Sequence, residues 1–490
     1  MLTGEPSRAV TGTRPPCAGP TGVPSVAQVP DADLGTTASA AAVPPDPLTP
    51  STAYLEVLER QTAHRAAASS PVTSSYAGAP TVLYDHLAEV VDAIGDDLRA
   101  LVHDLHAHPE TAFVEHHAAA AVATLLRRHG LDPQVGVHGL ATAVRAEVRS
   151  PGFDPSRHRT VAVLGEYDAL PEIGHACGHN VIAATAVGAV IALQRLLEDD
   201  PGAFEGRAVL LGTPAEEGHT GKEHLAREGA LDGLDAAVMC HPYGADVAEQ
   251  VWLGRRVATA TYTGVPAHAS AQPFCGRNAL DAASLAYQGI GLLRQQVPPA
   301  DRVHAIITDG GTRPSVIPAT ARLELYVRSL HPETLLDLSC RVEDVLRGAA
   351  LMAGVSLDLA WDAHPPSLPV RTNGALTGRW ALAQQRRGRT PYPAGVVSET
   401  LAASTDFGNV SYRVPGIHPL IQVAHPVTAL HTPEFAAAAA SPAAEQAALD
   451  GAYGLACTAL DLLVDDDLAA AVRDEFEESG GAVDVARYFD

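Results

Sequence analysis

At 490 residues and 46% apolar content the chain can fill two hydrophobic cores, while a formal net charge of -24 and a pI near 5.3 argue against nucleic acid or an anionic membrane as partner. The first residues show no basic segment followed by an apolar one, and no apolar run reads as long enough to span a bilayer, so a cytoplasmic location is expected. Cysteines at 17, 177, 240, 275, 340 and 457 have no framework spacing, which fits a reducing compartment better than disulfides.

Residues 1–80 are rich in Pro, Ala, Ser, Thr and Gly and hold too few large apolar groups to fold alone, so disorder is expected there. Order is expected to begin near Leu83, where residues 84–94 have helical apolar spacing. Residues 160–163 then read as an apolar strand that delivers Glu166 and Asp168 at its end. Next, residues 174–180 (GHACGHN) open an apolar helix over 181–190. Gly178 keeps the turn tight, so that Cys177 and His179, both ordinary ligands for zinc and its neighbours, can point at one ion.

Residues 207–212 read as a fully buried strand, which puts Glu216 and Glu217 in the loop at its carboxyl end, where open α/β sheets place their sites. Adjacent carboxylates there suit two jobs, one holding a metal while the other moves a proton. A further buried strand over 236–241 ends in His241; alternation turns Cys240 to the opposite face, into the core.

After residue 251 the pattern changes. Strands are expected at 256–263, 302–307, 320–328 and 355–360, with helices at 278–296 and 332–353. This β-α-β-β-α-β order predicts a ferredoxin-like α+β unit, inserted at 253–370 into an α/β body with a mixed sheet flanked by helices, whose parts are 81–252 and 371–490.

Seven stretches resemble the M20 family of metallopeptidases and amidohydrolases, in the branch of peptidase M20 domain-containing protein 2 and the aminobenzoyl-glutamate hydrolases. They are 108–112 (HPETA), 166–180 (EYDALPEIGHACGHN), 212–217 (GTPAEE), 267–270 (AHAS), 310–318 (GGTRPSVIP), 404–410 (STDFGNV) and 430–433 (LHTP), in family order from about residue 80 to the C-terminus. The resemblance implies hydrolysis of an amide bond in a small N-acyl amino acid or dipeptide, such as β-alanyl-lysine or aminobenzoyl-glutamate. It further implies two divalent metal ions, zinc or manganese, held by Cys177, His179, Glu217, His241 and His431, with Glu216 as general base. Glu166 stands where the wider family has a ligand histidine, which leaves Glu166 and Asp168 as groups behind the ligands. His268 is implied as the donor to the oxyanion, on a lid that reaches across a homodimer. Ser315 stands where many relatives have an asparagine facing the substrate.

Arg328, at the end of a lid strand, and Arg313, in the 310–313 loop, are the cations expected to receive a substrate carboxylate; residues 404–406 are expected to line the leaving-group pocket. Two other readings stay open. Cys177 could be the nucleophile of a thiol hydrolase with His179 as base, although two side chains so close in a turn lack a third orienting group. Alternatively the chain could be a non-catalytic, metal-bearing binding protein, which would have no use for Glu216.

Overall fold

The computed structural model describes residues 50–489, and among these all regular structure lies from Ala53 onward. Residues 1–49, with Cys17 and most of the stretch expected to be disordered, fall outside the described residues. The rest of that stretch corrects the expectation: residues Ala53–Ala68 form a helix that buries Leu58. The segment after it is held by Asp461, whose carboxylate accepts the Ala79 N–H at 2.8 Å and the Tyr84 hydroxyl, and pairs with Arg379 at 2.7 Å. The reason is tertiary. A segment with too few apolar groups for its own core can still order by docking on another, and here the anchoring carboxylate lies some 380 positions away.

The strands in chain order are β1 (Gln134–Val135), β2 (Val144–Arg149), β3 (Thr160–Gly165), β4 (Arg207–Gly212), β5 (Ala236–Val238) and β6 (His241–Tyr243). They continue with β7 (Gly254–Thr263), β8 (Arg302–Asp309), β9 (Thr320–Ser329), β10 (Ser356–Trp361), β11 (Gly416–Ile417) and β12 (Leu420–Gln422). The body is built on a mixed sheet of order β1-β2-β4-β3-β5-β11, in which β4, β3, β5 and β11 run parallel; β6 pairs with β12 beside it. Every residue of β3 is buried, as a parallel strand covered on both faces requires.

Helices His179–Asp199 and Pro442–Val464 pack on this sheet. Contrary to the sequence expectation, both are long and apolar enough to cross a membrane by length and composition. Each is instead almost wholly buried in the body, which is the other setting that tolerates a helix apolar on all sides.

Between Gly254 and Trp361 the chain forms a second, antiparallel sheet of order β10-β7-β9-β8, with helices Ala279–Leu293 and Pro332–Ala353 packed on it around a separate apolar core. Its strand-helix-strand-strand-helix-strand order is the ferredoxin-like split. The alternating burial along β7 leaves one face to the helices and one partly open.

Candidate active site

Because β4, β3 and β5 run parallel, the loops after them meet at one edge of the sheet. Glu166 and Asp168 follow β3, Glu216 and Glu217 follow β4, and β6 begins at His241. Helix His179–Asp199 starts at the same place. Gly178 before it has φ +81°, and a Cβ there would stand 2.9 Å from Pro242 Cγ, so the turn that sets Cys177 beside His179 needs glycine.

His431 arrives from a late loop. Its N–H donates to Ala176 O at 2.9 Å, and it holds φ +61°. Ala215, just before the carboxylate pair, has the same φ of +61°. Non-glycine residues in this region are uncommon and cluster at functional sites.

The side chains converge. Cys177 Sγ lies 3.5 Å from His241 Nε2, while Glu217 Oε1 lies 3.3 Å from His431 Nε2 and 3.9 Å from His179 Nε2. Ligand-capable atoms of Cys177, His179 and His241 fall within 4.8 Å of one another, as do those of Cys177, Glu217 and His431 and those of His179, Glu216 and Glu217.

Three atoms here, Glu166 Oε2, His179 Nε2 and Glu217 Oε1, are buried without a well-formed hydrogen bond; His179 Nε2 stands 3.3 Å from the first and 3.9 Å from the last. Ligand-type atoms packed this closely without a good hydrogen bond mark a place for a cation. A thiolate, imidazoles and carboxylates are donors that zinc-like divalent ions accept, so the residues fit such an ion.

The backs of these side chains are tied. Asp168 Oδ1 accepts from His179 Nδ1 at 3.1 Å, and its Oδ2 accepts the Glu217 N–H at 2.9 Å. His241 Nδ1 donates to Pro242 O at 2.7 Å. With Nδ1 engaged in both histidines, Nε2 is the atom left for the centre.

Burial pushes the Glu216 carboxyl well above the usual range, and the charges of Glu217, Glu166 and Asp406 add to the effect. Burial acts on Glu217 in the same direction, but the contact with His431 and the charges of His179 and His431 outweigh it and hold the group down to about 2. The two adjacent carboxyls are thus pushed in opposite directions, Glu216 toward a stronger base and Glu217 toward a lasting anion. Burial, then the Glu217 charge, pushes the Cys177 thiol well up, the opposite of what a thiolate nucleophile needs.

A cavity of about 360 Å³ opens over the cluster, lined by Cys177, Glu216, Glu217, His241 and His431 on one side and by Arg255, Arg302, His304 and Arg328 of the inserted unit on the other. Arg328 is therefore where a substrate carboxylate could meet it. Its guanidinium lies 5.0 Å from the centre of the Tyr326 ring, and that of Arg255 lies 5.7 Å from it. Among the described residues, none of these three arginines has a carboxylate partner.

Ser404 and Thr405 also line the cavity, but Asp406 does not. Asp406 is buried against Lys222, accepting the Lys222 backbone N–H at 2.9 Å and pairing with its ammonium, which also pairs with Glu166. Taking an ammonium out of water costs several kcal/mol, and two carboxylates offset it here.

His268, Arg313 and Ser315 are brought together, but not to this cavity. Ser315 O accepts the Ala269 N–H at 3.0 Å, His268 bridges to Val316, and Arg313 lines a separate cavity beside Ala269. The placement of Arg313 and Ser315 on the substrate is thus not met within one chain. The hairpin explains why: Arg302 pairs with Arg328 at the cavity, and the 310–319 loop closes the same hairpin at its other end, roughly 25 Å further along the strands.

Lys222, Arg255, Arg302 and His304 escaped the sequence reading. The available signal for Arg255 was the Arg255-Arg256 doublet at the start of an alternating strand, where one arginine must face each way. Arg256 takes the opposite face from Arg255 and pairs with Asp362 at 2.6 Å.

The family model for "Peptidase family M20/M25/M40" matches residues 162–446. The chain is 39% identical over 417 residues to the Xaa-Arg dipeptidase of Mus musculus, covering 84% of this chain and 95% of that protein. It is 28% identical to one of the subunits of the p-aminobenzoyl-glutamate hydrolase of Escherichia coli, covering 81% of this chain and 95% of that protein. Among solved structures, the YXEP protein of Bacillus subtilis, a dinuclear metal binding peptidase, shares the fold with a TM-score of 0.57 at 21% identity, over 76% of this chain and 99% of that one. The chain belongs to peptidase family M20/M25/M40 and is a hydrolase of amide or peptide bonds.

Proposed function

We propose that this chain hydrolyses the amide bond of a small N-acyl amino acid or dipeptide, using two divalent ions, zinc or manganese, held by Cys177, His179, Glu217, His241 and His431. The observation that carries this reading is one cavity with thiol, imidazole and carboxylate groups, Glu216 among them, converging on one wall and, on the other, arginines without a carboxylate partner among the described residues. The names of the mouse and E. coli relatives, a dipeptidase for Xaa-Arg and a hydrolase of p-aminobenzoyl-glutamate, support an amide with an amino acid on one side.

When bound, the ions supply Lewis acidity, lowering the pKa of water and polarising an amide carbonyl. Glu216 takes the proton of the attacking water and returns it to the leaving amine. Asp168 keeps the His179 ring in register through Nδ1. Lys222 pins one oxygen of Glu166, which leaves the other 3.3 Å from His179 Nε2.

Arg328, with Arg255 beside it, receives the substrate carboxylate. A panel of β-alanyl-lysine, aminobenzoyl-glutamate and N-acetyl amino acids tests the reading: at least one is expected to turn over, and Arg328→Ala to raise its KM by on the order of tenfold or more. No turnover across the panel contradicts the proposal.

The working form in this reading is a homodimer joined through the inserted unit. Edge strand β8 leaves Ile306 62% exposed beside Ile307, and an unpaired edge is a template for a second copy. His268 Nδ1 accepts the N–H groups of Ser270 and Ala271, which places the ring proton on Nε2 as a donor for an oxyanion in the other subunit's cavity.

Chains carrying His268→Ala and chains carrying Glu216→Gln are each expected to be nearly inactive alone. Co-refolded in equal amounts they should recover roughly a quarter of wild-type activity, because half the dimers are mixed and each has one intact site. No recovery, with mixed dimers confirmed by tagged pull-down, would show that His268 does not act across the dimer.

A further inference from the structure

Next to the cavity over the cluster lies a larger one of about 730 Å³, within the range of roughly 300–1,000 Å³ usual for small-molecule pockets. Ala403 and Leu430 line both cavities, and Leu430 is the immediate neighbour of His431. The walls of the larger chamber are mainly apolar. Leu55 and Leu58 come from helix Ala53–Ala68, and Tyr243, Tyr392, Val397 and Leu401 come from the body.

Its acidic groups do not make it a site for a cation. Asp246 is paired with Arg389 at 2.9 Å and accepts the Gln422 N–H at 2.8 Å, and Glu59 sits exposed on the helix. The helix that composition alone marked for disorder is thus one wall of an apolar chamber beside the candidate active site.

We infer that this chamber receives the acyl half of the substrate, and that the acyl group is large and apolar, of the class of a medium-length alkanoyl chain. The inference rests on the reading of the cluster as an amidohydrolase site. The two halves of an amide leave the carbonyl in opposite directions. With the amino acid's carboxylate on the arginines of the inserted unit, the acyl half turns toward the body wall of Ala403 and Leu430, behind which the chamber opens. An apolar chamber of this size leaves an acetyl group mostly unmatched, and of its carboxylates Asp246 is taken by Arg389 and Glu59 is exposed to water, so the ammonium of a β-alanyl group gains little there.

The test uses acetyl, hexanoyl and decanoyl derivatives of glutamate and of arginine, with the metal-loaded full chain and with Leu55→Trp. Leu55 is 38% exposed, so tryptophan there narrows the chamber without cutting into the core. Wild-type kcat/KM is expected to rise about three- to fourfold for each methylene that becomes buried. In L55W the rise should disappear while the acetyl substrates react as in wild type.

A flat wild-type series, or an unchanged rise in L55W, overturns the inference. If none of the series is hydrolysed, the proposed reaction fails on its own account, and calorimetric titration with free decanoate decides about the chamber. Saturable binding that L55W weakens tenfold or more supports it, and absence of binding, or equal binding by L55W, overturns it.

Discussion

Glu216→Gln is expected to lower kcat by on the order of a hundredfold or more while leaving the bound metal in place, because the amide keeps the shape of the side chain but cannot accept a proton. The neighbouring position is expected to behave in the opposite way. Glu217 Oε1 stands 3.3 Å from His431 and 3.9 Å from His179, so Glu217→Gln removes a charged donor from the centre and should weaken metal retention first. The two carboxyls are adjacent in the chain and separate in electrostatics: one is pushed up by burial, the other held down to about 2 by its histidines despite burial. Steady-state kinetics with elemental analysis of both variants checks the assignment. Metal lost from the Glu216 variant and retained in the Glu217 variant would mean that the roles are reversed.

Much of this arrangement was legible because parallel strands buried on both faces read as short apolar runs whose ends are easy to place. Cys177, His179, Glu217 and His241 stand at such ends or at a helix start, and the structure brings all four to one edge of the sheet. The inserted unit was legible for a related reason: strands with one open face alternate, as β7 and β9 do, and helix Pro332–Ala353 interrupts them with a different period. His431 is different. It sits in an irregular loop with a left-handed backbone, and no local periodicity marks it; only the LHTP motif did.

The features that escaped depend on partners far away in the chain. Lys222 looks like an ordinary surface lysine until Glu166 and Asp406 close around it, and nothing local requires that. Helix Ala53–Ala68 and the segment up to Ala79 depend on the body for their order, through Asp461 and the apolar chamber, which composition over a window of neighbouring residues cannot register. Arg313 lies away from this chain's own cavity because the arm that carries Arg302 to the cavity carries the 310–319 loop away from it.

The second large effect is expected on metal removal, since Glu166 Oε2, His179 Nε2 and Glu217 Oε1 crowd together without a well-formed hydrogen bond and the proposed chemistry has no other source of Lewis acidity. Chelation should also lower thermal stability, because a ligand that binds only the folded chain stabilises it by mass action. The measurement that bears most directly on the account is elemental analysis of the purified chain before and after exhaustive chelation, with hydrolysis of an N-acyl amino acid assayed on the same samples. Two divalent ions per chain are expected before treatment, with loss of hydrolysis to background when they are gone and its return on adding zinc or manganese. Undiminished hydrolysis by a chain shown to be free of metal would contradict it.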